Sequence, residues 1–335
     1  MSHCVQTWGM LQLATASGAR PCPAGMRHTG ITVFRRHKVL WGAIAVATVL
    51  AAQDVVFRTG VALVRVDAQV NGGTGGVNGL AKEDFEVRDN GELQHVLYCS
   101  QDDQPLDLLL LFDNSGSMLP AMRRLAASAH TALSELRRGD RVAVANFNAD
   151  AWLIGEFSDD LEAVERTVAR VVDLRYGGGT HILKAIDSAG EYFHKHADPQ
   201  RRHAILILTD DDGQYSASET SVVKHMWADD ILVCGLIIPT PMSQRGVGWR
   251  EGEENMLGVA AKTGGETVDA NDPGHALREM LRSIRRRYSI YYAMPAGKAG
   301  SARKVDVAMS PQGHSRYPDA QVLARKGYVI PKGTQ

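Results

Sequence analysis

The chain has 335 residues, a formal net charge of −1, 44% hydrophobic residues and 22% charged residues. These proportions are those of an ordinary globular protein, and they exclude a chain that is disordered throughout. The near-neutral charge gives no support to a nucleic-acid partner, and the length accommodates one large and one small domain behind a leader.

Residues 1–53 have the features of an export leader. A basic stretch at 35–38 precedes an apolar core at residues 39–52, which carries no charge and ends in small residues. This order is typical of a secretory signal peptide, and the core is shorter than the about 20 residues that a membrane-spanning helix needs. We therefore expect an exported protein, periplasmic or secreted. The alternative is an inner-membrane protein that is anchored by residues 39–52.

Residues 54–104 predict β structure. Apolar and polar residues alternate in the pattern of a half-buried strand, with the apolar positions at Val64, Val66, Ala68 and Val70. Further along, Asn90-Gly91 lies between two short strand-like runs, which indicates a β-hairpin. Residues 294–335 also predict strands, the last of them over residues 322–330. We expect these two flanking segments to pack together as a small antiparallel β domain.

Residues 105–293 predict alternating strands and helices. The run at 108–112 is apolar throughout, as in a strand that is buried on both faces of a parallel sheet. Apolar stripes at helical spacing predict several helices, among them one over residues 182–196. The last helix has a basic face, which we expect to be exposed to solvent. The pattern predicts an α/β fold with a doubly wound, mainly parallel sheet flanked by helices.

Oxygen-bearing side chains follow the central strands of this segment. Asp113, Ser115 and Ser117 alternate along the turn after the first strand. Thr180 ends a glycine-rich loop, and Asp210 follows a second apolar strand. Because loops at the carboxyl ends of parallel strands meet at one edge of the sheet, we expect these residues to converge. Their oxygens suit a hard cation such as Mg²⁺, Mn²⁺ or Ca²⁺, although serines in such a turn also cap helices.

These five residues resemble the metal-ion-dependent adhesion site of the von Willebrand factor type A (VWA) domain, and they match its pattern at every position. The resemblance implies that the hydroxyls of Ser115, Ser117 and Thr180 ligate one divalent cation, with Mg²⁺ favoured over Mn²⁺ or Ca²⁺. It implies that Asp113 and Asp210 bind the cation directly or through water. It also implies an open coordination position that an acidic residue of a protein or peptide partner fills.

Two neighbours of the five residues receive supporting roles. We interpret Asn114 as a turn residue between the ligands, and Asp211 as a carboxylate close to the cation that does not bind it. The segments around residues 80–91 and 325–328 are also similar to bacterial exported proteins of the VWFA-related family. That wider likeness covers about residues 54–331, and its motifs are less specific than the five-residue pattern.

Motifs for catalysis do not accompany this pattern. The sequence contains no Gly-x-Ser-x-Gly, and its glycine-rich loop lacks the lysine of a phosphate-binding loop. We therefore expect an exported, metal-dependent protein-binding module of the adhesion type, and not an enzyme. The alternatives are a metal-dependent hydrolase that uses the acidic cluster at 210–212, and a VWA subunit of a partner ATPase complex. A disulfide between Cys99 and Cys234 remains open.

Overall fold

A computed structural model describes residues 62–332, apart from positions 74, 102, 103, 241–252 and 255. The predicted leader at 1–53, with its apolar core at 39–52, lies outside the described residues. Within the described part of the chain, no helix combines the length and the apolar character that crossing a membrane requires.

The strands and helices follow one another in an irregular alternation. The strands are β1 (Leu63–Gly72), β2 (Gly75–Gly76), β3 (Phe85–Asp89), β4 (Glu92–Gln94), β5 (Val96–Gln101), β6 (Leu106–Asp113), β7 (Arg141–Phe147), β8 (Ala151–Ser158), β9 (Arg202–Thr209), β10 (Gly213–Gln214), β11 (Ile231–Ile237), β12 (Glu253–Glu254), β13 (Thr267–Asp269), β14 (Tyr288–Ala293), β15 (Ala302–Met309), β16 (Gln321–Ala324) and β17 (Gly327–Val329). The helices are α1 (Leu119–Leu133), α2 (Leu161–Val171), α3 (Ile182–His196), α4 (Glu219–Ala228), α5 (Leu257–Thr263), α6 (Pro273–Arg285) and α7 (Pro311–Arg316).

The central sheet has the strand order β13-β11-β9-β6-β7-β8, and only the pair β7–β8 is antiparallel. Side chains of β6 alternate between its two faces. Leu108, Leu110 and Phe112 pack on the side of α1, α2 and α6, whereas Leu109 and Leu111 pack on the side of α3, α4 and α5. This arrangement confirms the predicted α/β fold, with a mainly parallel sheet between two layers of helices.

Local sequence signals set the ends of the helices that cover this sheet. The Asp160 carboxylate accepts a hydrogen bond from the Ala163 N–H at 3.0 Å and so caps α2. Helix α5 ends at Gly264, whose φ of 85° is a left-handed conformation that glycine adopts without strain. The predicted helix over residues 182–196 coincides with α3.

The two flanking segments form two further sheets, with strand orders β16-β1-β14-β5 and β17-β15-β3-β4. β1 comes from the first flank and pairs antiparallel with β16 from the second. β14 lies within the predicted segment 105–293, yet it pairs with β1 and with β5. Both sheets bury a common apolar cluster that includes Val66, Val87, Ile290 and Val307. The predicted hairpin is confirmed, because β3 and β4 pair antiparallel around Asn90-Gly91.

One prediction for the end of the chain is wrong, and one element there was not predicted. The strand expected over residues 322–330 is two short strands, β16 and β17, which pair in different sheets. The break lies at Arg325, whose guanidinium turns away to bind Asp230. The short helix α7, which the sequence analysis did not predict, begins after Ser310, whose hydroxyl accepts a hydrogen bond from the Gly313 N–H at 3.1 Å.

The basic face expected to be solvent-exposed at the end of α6 is also partly wrong. Arg285 and Arg287 are buried, with 5% and 1% of their surface exposed. Arg287 donates to the Gly264 carbonyl at 2.8 Å and to the Gln69 side-chain carbonyl at 2.9 Å. Arg285 pairs with Asp140 at 3.1 Å, so its partner comes from the loop before β7. For Arg287, β1 of the flanking sheet supplies one acceptor through Gln69. Cys99 and Cys234 are both free thiols.

Candidate functional site

The first loop of the site leads from β6 into α1. Asp113, the last residue of β6, is completely buried. Its Oδ1 accepts a hydrogen bond from the Ser115 backbone N–H at 2.8 Å, and its Oδ2 accepts one from the Thr209 hydroxyl at 2.7 Å. Gly116 then begins a short 3₁₀ turn before α1. The carboxylate of Asp113 is therefore held in one orientation by two neutral donors.

The second loop follows β9 and brings in Asp210, of which 4% is exposed. Its Oδ2 accepts hydrogen bonds from the Ser117 hydroxyl at 2.8 Å and from the Thr240 hydroxyl at 2.8 Å. The hydroxyl oxygens of Ser115 and Ser117 lie 3.2 Å apart. Four of the five predicted ligands, Asp113 included, thus lie in one hydrogen-bonded group at the carboxyl ends of β6 and β9.

The third loop is the glycine-rich segment before α3, and it carries Thr180, which is 7% exposed. The Gly177 N–H donates to the Asn114 carbonyl at 2.9 Å, and the Gln214 N–H donates to the Thr180 carbonyl at 2.8 Å. These two bonds attach the glycine-rich loop to both other loops. Among the residues that the structure describes, the Thr180 hydroxyl makes no hydrogen bond to the other four predicted ligands. The loop that carries Thr180 is connected to the other two loops by these backbone hydrogen bonds.

The two predicted supporting residues hold the loops in place. Asn114 donates from its side-chain amide to the Arg175 carbonyl at 2.7 Å, so it ties the first loop to the segment before the glycines. Asp211 has a positive φ of 56°, and its Oδ1 accepts a hydrogen bond from the Met256 N–H at 3.1 Å. Asp211 therefore links the acidic loop to the beginning of α5.

The carboxylates of the site lack a positive partner within the described residues. Neither Asp113 nor Asp210 forms an ion pair with a lysine, arginine or histidine there. Burial raises the pKa of Asp113 to about 6, and the nearby negative charge of Asp210 contributes to the rise. Burial likewise raises the pKa of Asp211 to about 7, with the charges of Asp210 and Asp212 contributing. The site therefore concentrates negative charge that no ion pair among the described residues neutralises.

Two functional hydroxyls were missed by the sequence analysis. Thr209 donates to Asp113, and Thr240 donates to Asp210, so each fixes one of the two carboxylates. Thr209 directly precedes Asp210, and its place at the end of an apolar strand was an available signal. Thr240 follows β11 and is separated from Asp210 by 30 positions. The sequence alone therefore offered no sign of that contact.

The chemistry of the cluster follows from its atoms. Two carboxylates and three hydroxyls offer only oxygen donors, which hard divalent cations prefer over the nitrogen and sulfur donors typical of zinc sites. The described residues contain no group of three or more histidine, cysteine, aspartate or glutamate side chains arranged to hold a metal. A cation at this cluster would thus have to use hydroxyls beside its two carboxylates.

Comparisons with solved structures find matches at low identity. An aerotolerance-related membrane protein from Bacteroides fragilis NCTC 9343 is 19% identical, with a TM-score of 0.41 over 53% of this chain and 98% of that chain. BatB from Bacteroides thetaiotaomicron is 20% identical, with a TM-score of 0.42 over 53% of this chain and 97% of that chain. A von Willebrand factor type A protein from Catenulispora acidiphila is 15% identical, with a TM-score of 0.44 over 83% of this chain and 76% of that chain.

A comparison with curated proteins finds no match. The family model described as the von Willebrand factor type A domain matches residues 108–214. That range begins in β6 and ends in β10, so it contains all three loops of the site. Residues 108–214 are therefore similar to the von Willebrand factor type A domain, and this part of the chain contains β7, β8 and β9 of the mainly parallel central sheet.

Proposed function

We propose that Asp113, Ser115, Ser117, Thr180 and Asp210 bind one divalent cation, with Mg²⁺ as the first candidate and Mn²⁺ or Ca²⁺ as substitutes. The observation that carries this proposal is the pair of buried carboxylates, Asp113 and Asp210, which share one hydrogen-bonded group with two serine hydroxyls. Two carboxylates balance the charge of a dication, and the hydroxyl oxygens complete an all-oxygen donor set.

VWA domains generally mediate protein–protein interactions. We propose that this one binds a protein or peptide through an acidic residue of that partner. When bound, the cation supplies a positive position that accepts a carboxylate oxygen. Asp113 and Asp210 hold that position at the sheet edge, and Thr209 and Thr240 keep the two carboxylates oriented.

The proposal includes the absence of an enzymatic activity, as is typical of VWA domains. The hydrolase alternative requires an acidic side chain of residues 210–212 to act as a general base. Asp210 is occupied by two hydroxyl donors, and Asp211 by the Met256 N–H. We further propose that the chain is exported, periplasmic or secreted, on the basis of the basic stretch and apolar core at 35–52.

Titration calorimetry of the protein with Mg²⁺ and Mn²⁺ tests the cation site. We expect saturable binding at one site in the wild type, and loss of that binding in Asp113→Ala and in Thr180→Ala. Asp212→Ala is the matched control, because Asp212 is an exposed acidic residue of the same loop and is not among the proposed ligands. Absence of divalent-cation binding in the wild type, or equal loss in the control, would contradict the proposal.

A further inference from the structure

An exposed aromatic side chain lies at the edge of the site. Tyr215 is 69% exposed, the highest value among the large hydrophobic residues in the described ranges. The residues before and after it, Gln214 and Ser216, both make hydrogen bonds to other segments. The Gln214 N–H donates to the Thr180 carbonyl at 2.8 Å, and the Ser216 hydroxyl accepts from the Lys184 N–H at 3.2 Å. The ring of Tyr215 therefore projects into solvent from a segment that is fixed to the loop carrying Thr180.

Two polar side chains lie against the glycine-rich loop that carries Thr180. The Nδ1 atom of His181 is 2.9 Å from the Ala149 carbonyl oxygen, and a carbonyl can only accept, so Nδ1 carries a proton. The other ring nitrogen, Nε2, would be 3.8 Å from a Cβ atom built on Gly179, and Gln214 Oε1 would be 3.0 Å from it. His181 and Gln214 therefore lie against the glycine-rich loop, directly beside Thr180.

Lys184, a positively charged residue beside this loop, is engaged by groups of the chain itself. The Lys184 ammonium donates to Asp150 Oδ1 at 2.6 Å and to the Ala149 carbonyl at 3.2 Å. The surface next to Thr180 thus offers an aromatic ring and two polar side chains, whereas its lysine is engaged by an aspartate. A ring on a fixed backbone loses little conformational entropy on binding, and tyrosine is enriched among residues that dominate interface energies.

We propose that Tyr215, His181 and Gln214 form a specificity surface that selects a partner peptide with a large apolar residue next to its acidic residue. This inference rests on the proposed function, in which the acidic side chain reaches the cation. The apolar side chain packs on the Tyr215 ring. The peptide groups between the two side chains meet His181 Nε2 and the Gln214 amide.

The experiment uses three blocked tetrapeptides, Gly-Glu-Phe-Gly, Gly-Glu-Gly-Gly and Gly-Gln-Phe-Gly, titrated into the full chain with saturating Mg²⁺. We expect the Glu-Phe peptide to bind at least about fivefold tighter than the Glu-Gly peptide. Tyr215→Ala should reduce this preference to less than about twofold, because the variant lacks the ring on which the Phe side chain packs. A twofold difference in affinity between the two peptides corresponds to about 0.4 kcal/mol. Tyr98→Ala, which removes another exposed tyrosine in β5, should leave the preference intact.

Titration with Mg²⁺ alone separates this inference from the proposed function. Tyr215→Ala should bind Mg²⁺ as the wild type does, which shows that the variant is folded at the site. Equal affinity of the Glu-Phe and Glu-Gly peptides for a Mg²⁺-binding wild type, or no binding of either, would overturn the specificity surface and leave the cation site standing. No Mg²⁺ binding by the wild type would overturn both. Equal binding of the Gln-Phe peptide would overturn the acidic partner.

Discussion

Strand β6 buries one aspartate near each end, and the two have opposite surroundings. Asp107, near the beginning, accepts hydrogen bonds from Arg141 at 2.9 Å and from Arg201 at 2.5 Å. Asp113, at the end, accepts hydrogen bonds from the Ser115 N–H and the Thr209 hydroxyl, and it forms no ion pair among the described residues. Both side chains are completely buried, so the difference lies in their partners and not in their exposure.

The pKa values of the two carboxyls follow those partners. Burial alone would raise the pKa of Asp107, but hydrogen bonding by Arg141 and the attraction of Arg201 outweigh it and lower that pKa. Burial raises the pKa of Asp113 to about 6 because no such cation compensates it. The negative charge at the beginning of β6 is therefore compensated by arginines of the chain. Among the described residues, the other end has no positive side chain that compensates its carboxylate.

The flanking sheets also contain aspartates that are paired with an arginine, as Asp107 is. Asp67 in β1 pairs with Arg202 at 3.2 Å, and Asp89 in β3 pairs with Arg303 at 2.6 Å. Arg202 also donates to the Ile284 carbonyl at 2.7 Å, so it joins the end of α6 to the flanking sheet. A buried aspartate that already has an arginine serves the fold. One with only neutral donors is the better candidate for function.

The largest effect on stability is expected at the beginning of β6, where Asp107 is paired with two arginines. Asp107→Asn leaves Arg141 and Arg201 without their carboxylate, and removing one partner of a buried ion pair destabilises a protein by about 3–5 kcal/mol. Urea unfolding of the variant in EDTA measures this loss. Glu162→Gln, an exposed partner of Arg166, is the control and should change stability by less than about 1 kcal/mol. A loss at Asp107 no larger than in the control would break the comparison.

The isosteric change at the other end should have a much smaller effect on the metal-free fold. Asp113→Asn removes a buried negative charge that lacks a positive partner, so its stability in EDTA should lie within about 1 kcal/mol of wild type, or above it. The same variant should show no stabilisation when Mg²⁺ replaces EDTA, whereas the wild type should be stabilised. A loss in EDTA as large as that of Asp107→Asn would show that Asp113 is structural.

The smallest effect concerns the reactivity of the Cys99 thiol, whose pKa is also raised by burial and by nearby negative charge. Burial raises the pKa of Cys99 to about 12, with the charges of Asp84 and Glu83 contributing. Because the thiolate is the reactive form, alkylation of Cys99 at pH 8 should be far slower than in urea, and it should rise about tenfold per pH unit up to pH 10. Iodoacetamide labelling followed by peptide mass spectrometry measures it. A pH-independent rate would contradict the raised pKa.

The sequence predicted those parts of the molecule that depend on local pattern. The apolar run at 108–112 placed β6, helical spacing placed α3, and the positions of Asp113 and Asp210 after their strands predicted that their loops meet. Arg287 shows where pattern fails, because a basic residue at a helix end is exposed unless another segment covers it. Here Gln69, 218 positions away in sequence, supplies the acceptor.

The site shows the same limit on a smaller scale. The five predicted ligands could be named because each lies at a fixed place in its own loop. Thr240, which orients Asp210, could not be named, since it reaches Asp210 only after β11 has paired with β9. Tyr215 was missed for a different reason. An exposed tyrosine in a loop has no periodic pattern, and its importance follows only from the anchored residues on both sides.

The pairing of β5 with β14 has a mechanical consequence. β5 precedes the central sheet and β14 follows it, and Gln101 lies opposite Tyr288 in their antiparallel register. The chain therefore enters and leaves the VWA domain at neighbouring points. Tension applied between the two ends of the described chain first reaches β1 and β17, which belong to the two flanking sheets. The loops of the candidate cation site belong to the central sheet, so we expect a pull on the ends to strain the flanking sheets first.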